Sequence, residues 1–154
     1  MTAIVIDLDG TLCNSAHREH HAQNKDWDAF HGALSEDEPH RDVRGLITML
    51  AHGPELIGCT GRNERYRIET ERWLTDWGIM LDRVLMRPDH DFRSDVEVKL
   101  ALLEDWHEEE RAMIGQDGLR LQDRVLFVLE DRDKMVEAWR NAGFNCWQVR
   151  AGAY

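Results

Sequence analysis

The order of apolar and polar residues along the chain predicts short buried strands that alternate with amphipathic helices. Apolar runs of strand length occupy residues 3–6, 56–59, 83–86, 124–129 and 146–149. Between them, apolar residues recur at helical spacing over residues 41–52, over residues 63–77, after Asp95 and around Trp139. Residues 115–118, Gly-Gln-Asp-Gly, predict a loop. An alternation of strand and helix without internal repeats predicts the α/β class, with a doubly wound parallel sheet.

Segment 13–40 interrupts this alternation. It carries no clear strand and is predicted to be a small insertion of one or two short helices within a single domain spanning residues 1–154. Trp27 and Phe30 would pack one side of such a helix onto the body of the domain, and residues 35–39 are typical of a loop. His17, His20 and His21 could bind a metal ion, but their spacing is not a known ligand pattern, so a solvated helix face is favoured.

Composition and charge limit the classes of protein to consider. A length of 154 residues, 32% of them charged, suffices for one domain with a buried core. The apolar runs are only as long as strands, so they do not indicate a membrane-spanning helix. The first run ends at Asp7, which is too early for the core of a signal peptide. A cytoplasmic location without a membrane partner is therefore expected. Three cysteines without C-x-x-C spacing predict neither a disulfide framework nor a zinc knuckle. The net charge of −11 disfavours extended binding to nucleic acid.

Acidic residues follow two of the predicted strands. Asp7 and Asp9 come directly after the first strand, and Glu130 with Asp131 follows the fourth. The carboxyl ends of the strands form the ligand crevice of an open parallel sheet. Buried carboxylates at such a place need a compensating charge. A bound cation is the natural candidate.

Two further groups are suited to binding phosphate. Thr60, Gly61 and Arg62 follow the second strand, where a hydroxyl and the N–H groups of a strand-to-helix turn can bind phosphate oxygens. An equally favoured alternative is that Thr60 only caps the following helix. Lys99 falls in the first turns of the helix after Asp95, from where it could reach the same end of the sheet. Most lysines on helices are solvated instead.

The order of these groups resembles the haloacid dehalogenase superfamily of phosphatases. The similar motifs are Asp7-Leu8-Asp9-Gly10-Thr11, Thr60, Lys99 and Glu130-Asp131. The resemblance implies that Asp7 is a nucleophile that forms an aspartyl-phosphate and that Asp9 is the general acid and base. It implies that Thr60 and Lys99 hold the phosphoryl oxygens. It also implies that segment 13–40 is a small cap over the site.

The same resemblance implies a Mg²⁺ cofactor. Its ligands would be the Asp7 carboxylate, the Asp9 backbone carbonyl and Asp131. Glu130 would join them directly or through water. The superfamily more often has aspartate at that position, so Glu130 is a departure from its pattern.

A narrower resemblance, over essentially the whole chain, is to the 3′-phosphatase domain of phage-type polynucleotide kinase/phosphatase enzymes. Residues 136–143 and 146–149 are similar to the last helix and strand of that domain. Residues at positions that serve the substrate in that group are Arg18, Gly61, Arg62, Arg87, Asp95 and Arg132. Arg87 lies twelve residues, and Asp95 four residues, before Lys99. The chain has no G-x-x-x-x-G-K-[ST] loop, so a free-standing phosphatase without the kinase is expected.

The resemblance implies a Mg²⁺-dependent phosphomonoesterase that removes 3′-phosphates from nucleotides or nucleic-acid ends. A nucleotidase acting on 5′-nucleotides or sugar phosphates would use the same motifs, and the acidic segment 13–40 fits a short substrate better than a long polyanion. A non-catalytic binding module would be expected to have a broken motif, and none is broken. The sequence does not distinguish among DNA, RNA and mononucleotides as substrates, and it does not indicate the oligomeric state.

Overall fold

A computed structural model of the chain describes residues 2–114 and 118–152. The strands are β1 (Ala3–Ile6), β2 (Cys13–Asn14), β3 (Glu38–Pro39), β4 (Glu55–Asn63), β5 (Arg83–Arg87), β6 (Val125–Arg132) and β7 (Cys146–Gly152). The helices are α1 (Glu19–Gln23), α2 (Trp27–Gly32), α3 (Arg41–Leu50), α4 (Arg67–Asp76), α5 (Asp95–Ile114), α6 (Leu121–Arg124) and α7 (Asp133–Asn141). Five strands form one parallel sheet in the order β5-β4-β1-β6-β7. The predicted doubly wound α/β fold is confirmed.

The residues of β1 divide between the two faces of this sheet. Ala3 and Val5 pack with the side chains of α5 and α7, among them Trp106 and Trp139. Ile4 and Ile6 face the other way and pack with the side chains of α3 and α4. Since helices cover both faces, every position of β1 is buried, and its sequence is continuously apolar instead of alternating.

Strands β4 and β6 are longer than the apolar pattern predicts, and the added residues carry the candidate chemistry. The apolar runs end at Cys59 and Leu129, whereas the strands continue to Asn63 and Arg132. The pairing register shifts at both ends, between positions 60 and 63 of β4 and between positions 130 and 132 of β6. Such irregularities re-aim side chains at the end of a sheet.

The helix predicted over residues 63–77 is shorter in the structure. A 3₁₀ turn, Glu64–Tyr66, precedes α4, and Asn63 caps this turn by accepting a hydrogen bond from the Arg65 N–H. The helix expected after Asp95 is α5, while α6 was not predicted. The predicted loop at 115–118 lies outside the described residues except for Gly118. No helix in the described parts of the chain is long and apolar enough to cross a membrane.

Segment 13–40 contains the short helices α1 and α2, but the expectation that it lacks strands is wrong. β2 and β3 pair antiparallel at its two ends, with Cys13 opposite Pro39. A two-residue ribbon is too short to leave an alternating pattern in the sequence. Phe30 is buried as expected, but Trp27 is 52% exposed and meets the Phe30 ring edge-on at 6.0 Å. Only one of the two aromatic residues therefore joins the core.

His31 is buried beside the rings of Phe30 and Tyr66. Burial lowers the pKa of His31 to about 4, with Arg62 and Arg18 adding to the effect and Asp9 opposing it. The unfolded chain binds a proton here at higher pH than the folded chain does. The free energy of unfolding should therefore fall as the pH drops from about 6.5 towards about 4, by up to about 1.4 kcal/mol per pH unit.

His31→Gln should remove this part of the pH dependence. Chemical denaturation at about pH 7.5 and about pH 4.5 measures it. The loss of stability on acidification should be smaller for the variant than for the native protein. An identical loss in both proteins would contradict the assignment to His31.

Candidate active site

The predicted site residues meet at the carboxyl end of the sheet, where β1 lies between β4 and β6. From β1 the chain runs to β4 and β5 on one side and then returns to β6 and β7 on the other. This is the topological switch point at which open α/β sheets bind ligands. Ile6 lies opposite both Gly58 and Leu129, so the residues that follow these positions are neighbours.

Three groups of charged side chains occupy this end of the sheet. We name each after one aspartate. The Asp7 cluster is Asp7, Lys99, Glu130 and Asp131; the Asp9 cluster is Asp9, Arg18, Asp37 and Arg62; the Asp95 cluster is Arg87, Asp95 and Arg132.

In the Asp7 cluster a buried lysine joins two carboxylates. Lys99 Nζ donates to Asp7 Oδ1 at 2.6 Å and to Glu130 Oε2 at 2.9 Å. Glu130 Oε1 accepts from the backbone N–H groups of Asp131 and Arg132. The longer side chain at position 130 thus folds back on its own strand while holding the lysine. Lys99 is part of the strand-end site, and its alternative as a solvated lysine is wrong.

The carboxylates of this cluster carry more negative charge than Lys99 offsets. Asp7, Glu130 and Asp131 are buried, and an oxygen of each lies within 4.8 Å of the others. Burial raises the pKa of Asp7 well above its usual value, and Glu130 and Asp131 raise it further, whereas Lys99 opposes them. Asp7 Oδ2 is buried and has no hydrogen-bond partner in the described part of the chain.

This donor set fits a hard divalent cation such as Mg²⁺. All the available atoms are carboxylate oxygens, which such ions prefer. Asp7 and Asp131 are the residues best suited to contact the ion. Both oxygens of Glu130 are already engaged, by Lys99 on one side and by backbone N–H groups on the other. Glu130 is therefore better suited to fixing Lys99 and to reaching an ion through water.

Two arginines clamp the carboxylate of Asp9. Arg62 donates to it from Nε at 3.0 Å and from Nη2 at 2.7 Å. Arg18 donates to Asp9 Oδ1 and is itself held by Asp37. The Arg18 guanidinium also lies over the Phe30 ring, 4.2 Å from its centroid. Segment 13–40 therefore supplies a cation to the site, and its own helix α2 fixes the position of that cation.

The two arginines determine whether the Asp9 carboxyl is ionised. Burial alone would raise the pKa of this carboxyl, but Arg62 and Arg18 outweigh it and hold the pKa far below its usual range. Asp9 is ionised in this state, which is the form that accepts a proton. Protonation of Asp9 requires that the two guanidinium groups be drawn towards another anion.

Thr60 and Gly61 lie inside β4, which corrects their predicted setting at a strand-to-helix turn. Thr60 is fully buried, and its hydroxyl accepts from the Arg62 N–H at 3.2 Å. The alternative that Thr60 caps a helix is wrong, because Asn63 has that role. A Cβ on Gly61 would lie 2.8 Å from Asp95 Oδ1. Position 61 therefore needs glycine for the close approach of that carboxylate.

The Asp95 cluster links three strands. Asp95 pairs through one carboxylate oxygen with Arg87 of β5 and through the other with Arg132 of β6. Arg87 Nε also donates to the Gly61 carbonyl of β4 at 3.1 Å. Burial opposes ionisation of Asp95, but Arg132 and Lys99 prevail and lower its pKa. The side chains of Arg87 and Arg132 are partly exposed, so this cluster borders solvent at the carboxyl end of the sheet.

Two residues of this network, Asp37 and Thr11, were not predicted as site residues from the sequence. Asp37 lies in the segment predicted to be a loop, and its carboxylate is fully buried and holds Arg18 and His17. Nothing in the local sequence separates Asp37 from its acidic neighbours Glu36 and Glu38, which are exposed. Thr11 was seen only as part of the first motif, and its hydroxyl donates to Asp131 Oδ1 at 3.3 Å.

The histidines of segment 13–40 do not form a metal centre with described residues. His17 Nε2 lies 2.8 Å from Asp37 Oδ1, and the rings of His20 and His21 lie 3.9 Å apart. The groups of potential ligands that are close enough to share an ion contain no histidine among residues 2–114 and 118–152.

Comparison with known proteins gives a match over the whole chain. Residues 1–154 match the family described as the polynucleotide kinase PNKP phosphatase domain. The structure of a Pnkp1/Rnl/Hen1 complex contains a chain that is 28% identical, with a TM-score of 0.73. That match covers 99% of this chain and 46% of the other. A second structure, of the Pnkp1/Rnl/Hen1 RNA repair complex, is also 28% identical, with a TM-score of 0.74, and the match covers 99% of this chain and 43% of the other.

A more distant structure shares the fold. CbbY from Rhodobacter sphaeroides, in complex with phosphate, is 14% identical with a TM-score of 0.64, and the match covers 100% of this chain and 87% of the other. The chain spans less than half the length of the chains it matches in the two Pnkp1/Rnl/Hen1 complexes. The match to the family itself extends from the first residue to the last. This chain belongs to the family of PNKP phosphatase domains, hydrolases of the haloacid dehalogenase type.

Proposed function

We propose that this domain removes 3′-phosphates from nucleotides and nucleic-acid ends by way of an aspartyl-phosphate. The observation that carries the proposal is the state of Asp7. One of its oxygens is fixed by Lys99, and the other is buried without a hydrogen-bond partner among the described residues. A carboxylate held at one oxygen and open at the other is suited to attack phosphorus.

In the first half of the reaction, Asp7 Oδ2 forms a bond to phosphorus while the bond to the 3′ oxygen of the sugar breaks. Lys99 and Thr60 bind the phosphoryl oxygens and stabilise their developing charge. The incoming phosphate attracts the guanidinium groups of Arg18 and Arg62. As these move away from Asp9, its pKa rises, and the proton it gains is transferred to the departing 3′ oxygen.

In the second half, Asp9 is ionised again and takes a proton from a water molecule. The water oxygen bonds to phosphorus and the bond to Asp7 breaks, which releases inorganic phosphate and restores the carboxylate. Arg62 and Arg18 keep Asp9 ionised in the absence of substrate, and only the ionised carboxylate can accept this proton.

We propose Mg²⁺ as the cofactor, held by Asp7, Asp131 and the Asp9 backbone carbonyl, with Glu130 reaching it through water. When bound, the ion would neutralise the repulsion between the attacking carboxylate and the anionic phosphate. The close group of buried carboxylates supports this assignment.

The local charge supports a nucleic-acid end as substrate despite the acidic composition. The chain as a whole carries a net charge of −11. At the site, however, the carboxylates are matched by a nearly equal number of cations, namely Arg18, Arg62, Arg87, Lys99 and Arg132. A divalent ion would make the site positive. A few arginines can then hold the terminal phosphate and the next phosphodiester.

We further propose that residues 1–154 form one domain in which segment 13–40 is a small cap. Support comes from Arg18, which reaches from this segment to Asp9 at the sheet. A cap this close to the site favours binding of the last one or two nucleotides of a nucleic-acid chain over binding of a long stretch. The similarity to the Pnkp1 of an RNA repair complex supports RNA ends among the substrates.

A substrate panel tests the proposal. With Mg²⁺ present, kcat/KM should be higher for 3′-phosphorylated DNA and RNA oligonucleotides and for 3′-nucleotides than for 5′-nucleotides or sugar phosphates. Long oligonucleotides should gain little over short ones, and the logarithm of affinity should fall with the logarithm of salt concentration with a slope of only about −1 to −2.

The matched control is the same oligonucleotide with its phosphate at the 5′ end. Consistently faster hydrolysis of 5′-nucleotides or sugar phosphates would overturn the 3′ assignment. It would favour the second candidate function, a small-molecule nucleotidase, which the acidic residues of segment 13–40 also fit.

A further inference from the structure

Phe92 is an aromatic residue that the fold leaves in solvent at the active-site end of the sheet. It lies in the loop of residues 88–94, which joins the carboxyl end of β5 to α5. Its exposed fraction is 91%, the highest among the exposed large apolar residues of the described chain. A phenyl ring gains nothing for folding from such a position, because its apolar surface is not removed from water.

The other exposed aromatic residues of the described chain are already in contact with a second ring. Trp27 meets Phe30 edge-on, and Trp147 stacks flat on Phe127 with centroids 4.1 Å apart. No ring contact of Phe92 is found in the part of the chain that the structure describes. Both faces of the Phe92 ring are therefore available to a ligand.

Arg87 fixes the loop that carries this ring. Its Nη1 donates to the backbone carbonyls of Asp91 at 3.0 Å and Arg93 at 2.8 Å, the two residues on either side of Phe92. Arg93 in turn pairs with the Asp91 side chain, with distances down to 2.6 Å. A loop held on both sides of one residue presents that side chain with little conformational freedom left to lose on binding.

The same arginine connects the loop to the phosphate site. Arg87 donates to the Gly61 carbonyl at 3.1 Å and pairs with Asp95. Asp95 also pairs with Arg132, beside the Asp7 cluster. One guanidinium group thus sets the position of Phe92 relative to the strand that carries Thr60 and Gly61.

We propose that Phe92 is a stacking platform for the nucleobase of the nucleotide whose phosphate is removed. The inference rests on the proposed function and adds how the substrate is selected. Stacking of a base on an aromatic ring is tolerant of sequence because every base has a flat face. The platform therefore distinguishes nucleotides from sugar phosphates without reading the base.

The experiment compares phosphate esters that differ only in the base. The pairs are a 3′-nucleotide with 1-deoxyribose 3-phosphate, and a 5′-nucleotide with 1-deoxyribose 5-phosphate. Phosphate release by the native protein, Phe92→Ala and Phe92→Trp gives kcat and KM for each ester. Met49→Ala is the matched control, since Met49 is a similarly large apolar residue, 77% exposed, on α3.

Phe92→Ala should raise KM for the base-bearing ester about 5- to 160-fold, the range expected for loss of one base–aromatic stack, with kcat changed less than about twofold. KM for the ester without a base should not change. Phe92→Trp should keep the advantage of the base-bearing ester, and Met49→Ala should leave all values unchanged.

An equal effect of Phe92→Ala on both members of a pair, or no effect on either, would overturn the platform. The two proposals fail separately. If the 5′ pair is hydrolysed better than the 3′ pair and the base effect persists within it, the 3′ assignment falls and the platform stands. If 3′-esters are preferred but the base makes no difference, the platform falls and the 3′ assignment stands.

Discussion

Asp7→Asn is expected to reduce phosphate release by at least about 1,000-fold, because the amide is a far weaker nucleophile than the carboxylate. The fold should persist. Asp7 lies among the buried carboxylates of Glu130 and Asp131, and removing its charge relieves their repulsion. Lys99 keeps Glu130 as its partner in the variant. In the absence of divalent ions, the melting temperature of Asp7→Asn should therefore match or exceed that of the native protein.

Steady-state kinetics and thermal unfolding of the same preparations check both parts. Asp123→Asn is the matched control, since Asp123 is an exposed carboxylate paired with Arg120 just before the amino end of β6, at the opposite end of that strand from the candidate site. It should leave activity unchanged. Native-like turnover by folded Asp7→Asn would remove Asp7 from the proposed nucleophilic role.

The sheet could be predicted from the sequence because its signal is local. Every position of β1 is apolar and is followed at once by Asp7. The helices show the periodicity of one buried face. The ends of β4 and β6 could not be predicted in this way, because Arg62 and Glu130 continue as strand through register shifts that depend on the neighbouring strand.

The candidate site was predicted as a set of residues but not as a set of contacts. The order of the motifs predicted Asp9, and the narrower family resemblance predicted Arg18 and Arg62, yet nothing in the sequence indicated that both arginines clamp Asp9. Asp37 was missed because its burial depends on the β2–β3 ribbon and on Trp73, whose indole N–H donates to the Asp37 carbonyl at 2.8 Å. Such pairings form between segments far apart in the chain and leave no local pattern.

Glu130 stands where the superfamily more often has aspartate, and its contacts in the structure give a physical reason for the longer side chain. An aspartate at this position is one methylene shorter. The glutamate spans from Lys99 on one side to the N–H groups of its own strand on the other. It therefore fixes the lysine that contacts Asp7, and Asp131 is the acidic partner of Asp7 in the proposed metal site.

If Asp7 and Asp131 hold the ion, the second large effect is expected in the dependence of activity on divalent metal ions. Removal of divalent ions by a chelator should abolish turnover, and added Mg²⁺ should restore it. Ca²⁺ should be a poor substitute, because its longer and more variable coordination would displace the attacking carboxylate. Asp131→Asn should lower activity at limiting Mg²⁺ by at least about 100-fold, since it removes one of the two carboxylates assigned to the ion.

Binding can be measured without turnover. An ion that binds only the folded protein raises its melting temperature, so Mg²⁺ should stabilise the native protein and stabilise Asp131→Asn much less. Asp133→Asn is the matched control, because Asp133 is exposed two residues further along and accepts a hydrogen bond from Gln148. Its response to Mg²⁺ should equal that of the native protein. Two results together would contradict the metal assignment: undiminished hydrolysis in excess chelator, and a melting temperature that does not change when Mg²⁺ is added. They would show that Lys99 and the arginines suffice to offset the charge of the buried carboxylates.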